Sequence, residues 1–192
     1  MERLSKIGGI SMFEMIKMMQ QVLNKKEFSY WVHQDLFSFQ WWLIVVINAL
    51  FLLLFYFFID RQRLFFMLLV FFISFDIVGL VDEFGKFFNL WCYPHQMLPF
   101  TDRFNTVDFA IIPVSIALVY QFFSKWKFFF IAHIITSAVI AFIGIPIFKA
   151  LYLYKLLNWS MFYSFLTVFI MGIVVKIISD WMAGKKRGYR VS

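Results

Sequence analysis

The sequence predicts an all-α integral membrane protein with five transmembrane helices and an N-terminal amphipathic helix in the membrane interface. Three observations carry this reading. Of the 192 residues, 62% are hydrophobic and 23% aromatic, with 29 Phe, a composition far outside that of soluble domains. Five stretches are mainly apolar over the roughly 17–25 residues that a spanning helix needs. The basic residues, which give a net charge of +7, fall mostly in the tails and short connections.

The first element, residues 11–27, places Phe13, Ile16, Met19 and Leu23 at helical spacing opposite Lys17, Gln20, Gln21 and Asn24. That pattern fits a helix lying along the membrane surface, or one docked on a partner protein. The first span, 41–58, is interrupted only by Asn48, and the second, 64–81, contains Asp76 and one other polar residue, Ser74. The third, 106–123, begins near Asp108; the fourth, 128–148, contains His133, Thr136 and Ser137; the fifth is 161–178. Lys176 lies near the end of that last span, where its long side chain is expected to snorkel to the headgroups. Kinks are expected at Pro113 and Pro146.

Residues 59–63 and 124–127 are tight connections, so spans one and two, and three and four, are expected as antiparallel hairpins. The longer loop, 82–105, is rich in Phe, Trp, Tyr and Pro and is expected in the interface or folded back over the bundle. The organisation is thus an N-terminal interfacial segment (1–40), a five-helix domain (41–181) and a basic tail (182–192). Residues 1–21 lack the apolar core and cleavage pattern of a secretory signal.

Basic residues near the span ends number nine on the side of the tight connections and C-terminus, against six on the other. The positive-inside rule then places the C-terminus in the cytoplasm and the N-terminus outside. Including the more distant Arg3, Lys6 and Lys17 makes the count even.

Asp76 is the most conspicuous functional candidate. A carboxylate at the bilayer centre costs about 2.5–3.5 kcal/mol, and such residues usually face a bundle interior and mark a pathway, relay or binding site. Gly79 and Glu83 share its helical face, with Asp82 beside that stripe. The outer half of the bundle then gathers Asp76, Asp82, Glu83 and Asp108, near His95, Lys86 and Arg103, with Asn48 at similar depth. For Asp82, Glu83 and Asp108 the preferred reading is that they are solvated residues at helix ends. His133 reads as a neutral side chain hydrogen-bonded to another helix, with a proton-relay partner as the sharper alternative.

Other chemistries find little support. The three histidines show no metal-ligand spacing, and no metal or cofactor is expected. Cys92 is the only cysteine, so an intrachain disulfide is excluded. Nucleophile elbows, phosphate-cradling glycine loops and H-E-x-x-H are absent. The expected partners are the lipid bilayer and a second copy or membrane protein; nothing points to nucleic acid.

The combination Tyr30-Trp31, Leu36-Phe37-Ser38, Trp41-Trp42, Asp60-Arg61-x-Arg63-Leu64, Asp76-x-x-Gly79, Leu90-Trp91-x-Tyr93-Pro94, Asp108, Pro113, Tyr120-Gln121, Trp126-Lys127, Ala141-Phe142 and Pro146 resembles a family of small multi-pass membrane proteins. That family occurs in spore-forming Firmicutes and related bacteria and has no established activity. The resemblance covers nearly the whole chain from Tyr30. It implies a bacterial cytoplasmic membrane and a link to sporulation, but no substrate. Its members often carry an acid before the proline of the fourth span, where this chain has Ile145-Pro146.

The leading expectation is a non-enzymatic membrane component that binds or passes a small cation or polar solute through the acidic cluster. A membrane-embedded enzyme acting on a lipid or isoprenoid, and a structural or accessory subunit, stand as alternatives.

Overall fold

The computed structural model describes residues 11–101, 103–105 and 107–188, with side chains as far as residue 184. Helix α1, Met12–Tyr30, opens with a capping box. Ser11 Oγ accepts from the Glu14 amide at 3.1 Å, and the Glu14 carboxylate accepts from the Ser11 amide at 2.7 Å. The helix buries none of its residues and passes directly into a π-helical turn, Trp31–Asp35.

Ser38 caps α2, Phe39–Phe58, by accepting from the Trp41 amide. A 3₁₀ turn, Arg61–Arg63, then leads into α3, Leu64–Phe87. The Gln121 side chain holds this hairpin closed: its Nε2 donates to Phe58 O at 2.7 Å, and its Oε1 accepts from the Asp60 amide at 2.8 Å. Helix α3 runs on to Phe87 rather than ending at 81. Its end is a Schellman turn in which Asn89 takes φ 53°, Leu90 N–H donates to Gly85 O and Asn89 N–H to Lys86 O.

The chain then forms β1, Trp91–Cys92, which pairs antiparallel with β2, Lys155–Leu156, in the register Trp91 to Leu156. This small clasp joins the two long connections at one end of the bundle, the capped end. Helix α4, Ile112–Phe122, follows a π turn, Val107–Ile111. Helix α5, Trp126–Val139, continues through a second π turn, Ile140–Gly144, into α6, Ile145–Ala150. Pro113 and Pro146 sit in the first turns of α4 and α6, just after these π turns, so the expected irregularities take the form of wider turns. Helix α7 is Met161–Gly188.

The protein is therefore an all-α, multi-pass membrane protein. Four helical stretches are long and apolar enough to cross a bilayer: Phe39–Phe58, Arg61–Phe87, Trp126–Ala150 and Met161–Gly184. The third expected span, here Val107–Phe122, is shorter. At 1.5 Å per residue it reaches only about 24 Å, against about 30 Å of hydrocarbon. Its start is set by the preceding loop, which descends beside α2. Trp41 Nε1 donates to Met97 O at 3.1 Å, and deeper along the same helix Asn48 Nδ2 donates to Phe104 O at 3.2 Å.

The core lies where α3 packs on α4, with α7 against both. Met67, Val70, Val78, Val114, Ile116, Ala117 and Val175 are almost completely buried. Large side chains such as Phe57 and Phe65 stand outward, 72% and 86% exposed, as a lipid-facing surface requires.

Lys176 does not snorkel. Helix α7 continues a further 12 residues, so this lysine is an interior position and is completely buried. Its ammonium lies 4.8 Å from the ring centre of Tyr120 and 5.0 Å from those of Trp126 and Phe129. It donates to Ser124 O at 3.0 Å and pairs with Asp180 Oδ2 at 3.2 Å. An aromatic cage thus replaces the headgroup contact and joins α7 to the α4–α5 connection.

Candidate functional site: a buried acid pair

Asp82 is carried inward by α3, on the face that also buries Val78 and Ser74, one and two turns earlier. The Schellman turn sends the chain back over that face. A Cβ on Gly85 would overlap the Trp91 ring, so glycine is what lets the indole lie against α3. From there Trp91 Nε1 donates to Asp82 Oδ1 at 2.8 Å. Tyr93 follows, its hydroxyl 2.7 Å from the same oxygen and 2.6 Å from Asp108 Oδ2.

Asp108 stands in the π turn that leads into α4. Asn105 holds it there: Oδ1 accepts from the Val107 and Asp108 amides, each at 3.0 Å, while Nδ2 donates to Asp108 Oδ2 at 2.7 Å. Both acids are buried, Asp82 at 2% exposure and Asp108 at 6%. Asp82 Oδ2 has no hydrogen bond among the described residues; Lys86 Nζ, 3.4 Å away, is its ion-pair partner.

The hydrogens are countable. A phenol has one hydrogen, yet Tyr93 Oη makes two short contacts to carboxyl oxygens. Both are hydrogen bonds when the pair itself holds one hydrogen, donated back to Tyr93. Lys86, which also pairs with Glu83, then offsets the one negative charge left on the pair only in part. Burial, and then the negative charge of Asp108, push the phenols of Tyr93 and Tyr154 above their usual range, so both stay neutral donors.

Below the pair is a cavity of about 60 Å³. Trp91, Tyr93, Phe148, Tyr154 and Trp159 form its aromatic side, while Ile112, Ile145 and Met171 supply the aliphatic walls. Two of these aromatics are held edge to face, Trp91 on Trp159 at 5.5 Å between ring centres. The two π turns both face this space, one through Asp108 and the other through Ile140. π turns inside helices recur at functional sites, because the extra residue re-aims a side chain.

The other predicted residues lie elsewhere. Asp76 is exposed on the outer surface of α3 and does not join the cluster. Asp76 and Glu83 do share a stripe, but that stripe points outward, and it is the neighbouring Asp82 that turns in. Glu83 is exposed and pairs with Lys86 at 3.2 Å, as a helix-end residue would. Asp82 and Asp108 depart from that preferred reading, since both are buried in the bundle rather than solvated.

Asn48 is buried, with its Oδ1 lacking a hydrogen bond among the described residues. His133 is completely buried between α5 and α7, with Nε2 3.2 Å from the carbonyls of both Val168 and Phe169. That geometry assigns the proton to Nε2. A Cβ on Gly172 would overlap the imidazole, so glycine again makes the space.

Sequence reasoning missed Tyr93, Trp91 and Asn105, whose only signal was their place in an aromatic loop after an acid. It also missed the buried Asp35, which accepts from the Gln96 amide at 3.2 Å and contacts His95 Nδ1 at 2.7 Å. Among the described residues, no three His, Cys, Asp or Glu are placed to hold a metal ion. Family models, curated proteins and solved structures give no match to this chain.

Proposed function

We propose that the protein is a non-enzymatic multi-pass membrane component that binds or passes a small cation or polar solute at the Asp82–Asp108 pair. One observation carries the reading: two buried carboxyls meet at one phenol, directly above a cavity. A cation or a hydrogen-bond-donating solute replaces the shared hydrogen without leaving a buried charge uncompensated, which is how intramembrane acids serve ion and proton pathways. The mostly apolar walls favour a solute with an apolar portion over a bare ion, which would demand oxygen ligands on several sides.

In this proposal Val107–Phe122 is a fifth, shortened span whose polar start lies within the membrane, covered by the descending 97–105 loop. Irregular backbone at that depth is tolerated when buried in protein or lining a cavity. The capped end faces outward and the end bearing Arg61, Arg63, Lys125 and Lys127 faces the cytoplasm, by the distribution of basic residues. The family resemblance supports a bacterial cytoplasmic membrane and a sporulation role.

A second reading is a membrane-embedded enzyme acting on a lipid or isoprenoid. It is favoured by the aromatic-sided cavity reaching two acids, one able to hold a proton and the other to accept one. Proteoliposome uptake of sodium, ammonium and tetramethylammonium, compared among wild type, Asp108→Asn and Glu83→Gln, tests the first reading. Uptake lost in Asp108→Asn and kept in Glu83→Gln supports it. Equal uptake in all three, or neither uptake nor binding of these cations by the wild type, removes it.

A further inference from the structure

The cluster leaves one acid and one base unused. Asp76 lies about 18 Å along α3 from Leu64, well inside a span, yet it is exposed. Among the described residues it has no ion pair or hydrogen-bond partner through its side chain. Arg103 is in the same position. Its backbone amide donates to Thr101 Oγ1 at 3.2 Å, but its guanidinium rests on Gly79, with the Cζ 3.3 Å from where a Cβ would stand. Gly79 is one turn from Asp76, so the two charges flank the same patch without pairing.

The patch itself is apolar. Leu69, Phe72 and Leu80, at 41%, 56% and 71% exposure, run along α3 beside Asp76. Unpaired charges facing lipid are costly, and they are normally satisfied by protein. A surface carrying one free acid and one free base is complementary to itself under a two-fold rotation.

We propose that two copies of this chain associate through this face of α3, with Asp76 of each copy paired to Arg103 of the other. The arrangement neutralises all four charges and covers Phe72 and Leu80. It is independent of what binds at the Asp82–Asp108 pair.

Charge swapping tests it, using two differently tagged copies co-expressed in membranes, with Cys92→Ser and a reporter Leu80→Cys in both. Oxidative cross-linking between the unswapped copies is expected, and is expected to fall by at least about tenfold when both carry Asp76→Arg or both carry Arg103→Asp. Co-expressing one copy with Asp76→Arg and one with Arg103→Asp restores opposite charges across the interface at both contacts. Cross-linking should return, which also shows that each variant folds. If the pair instead forms within one chain, mixing the single variants rescues nothing, whereas the double variant Asp76→Arg/Arg103→Asp behaves as wild type. Absence of rescue on mixing, or cross-linking indifferent to the single substitutions, overturns the proposal.

Discussion

Asp82 and Asp108 approach the same phenolic oxygen, that of Tyr93, at 2.7 and 2.6 Å, although they come from different helices and are 26 positions apart in the chain. One hydrogen on the phenol and one on the pair satisfy both contacts. The pair is therefore a two-acid unit whose members are not interchangeable with apolar residues of similar size.

Replacing Asp82 by Leu removes one partner each from Trp91 Nε1, the Tyr93 hydroxyl and the Lys86 ammonium, the last two keeping Asp108 and Glu83. The expected loss is about 3–5 kcal/mol, as for breaking one side of a buried ion pair. Asp108→Asn keeps an acceptor for Tyr93 and Asn105, so its cost is expected below about 1.5 kcal/mol. Unfolding in detergent micelles by heat or denaturant should separate the two, and equal losses would contradict the hydrogen-bond assignment.

Three glycines should respond differently to alanine. Gly85→Ala collides with the Trp91 ring and Gly172→Ala with the His133 imidazole, both in packed surroundings, so each is expected to lose about 1–3 kcal/mol. Gly79→Ala meets the end of a flexible arginine at 3.3 Å and should be nearly neutral to the stability of a single chain. The rank order of melting temperatures checks this.

At the opposite end of the bundle, Lys176→Ala empties the aromatic cage and leaves Ser124 O and Asp180 without their cation. A loss of about 2–4 kcal/mol is expected, from the cavity and the three ring contacts. The Asp180 contribution is reduced by its partial exposure. Lys176→Met fills most of the volume and should lose less. If Lys176 reached the headgroups instead, both substitutions would be close to neutral.

Alkaline pH should weaken the capped end. The phenols of Tyr93 and Tyr154 are raised in the folded state, so they stabilise it fully below the unfolded value near 10, and that stability falls as pH rises above it. Melting temperature followed from about pH 8 to about pH 11 should decline, and decline less steeply in Tyr93→Phe.

Much of this fold was legible because each span is a long apolar run bounded by charges. The face that α3 turns inward was not, since an apolar helix in a membrane has little hydrophobic contrast around its circumference. Asp76 stood out by contrast with its neighbours, but the better marker was Ser74, the other polar residue of that run. Ser74, Val78 and Asp82 are spaced four apart, and that stripe leads to the site while Asp76 faces away. Asp82 read as a solvated helix end because the return of Trp91 and Tyr93 over it depends on a Schellman turn and a two-residue strand. Neither leaves a periodic signal. The short fourth helix likewise follows from contacts such as Asn48 to Phe104, which no local pattern announces.

The central claim, that the Asp82–Asp108 pair holds one exchangeable hydrogen and yields it to a ligand, is most directly tested by infrared difference spectroscopy of the protein in lipid, with and without an added tetramethylammonium probe. The account predicts a protonated-carboxyl carbonyl band that diminishes when the probe is added and is missing from the Asp82→Asn/Asp108→Asn double variant. A band that persists unchanged in that double variant, or that ignores the probe in wild type, would contradict it.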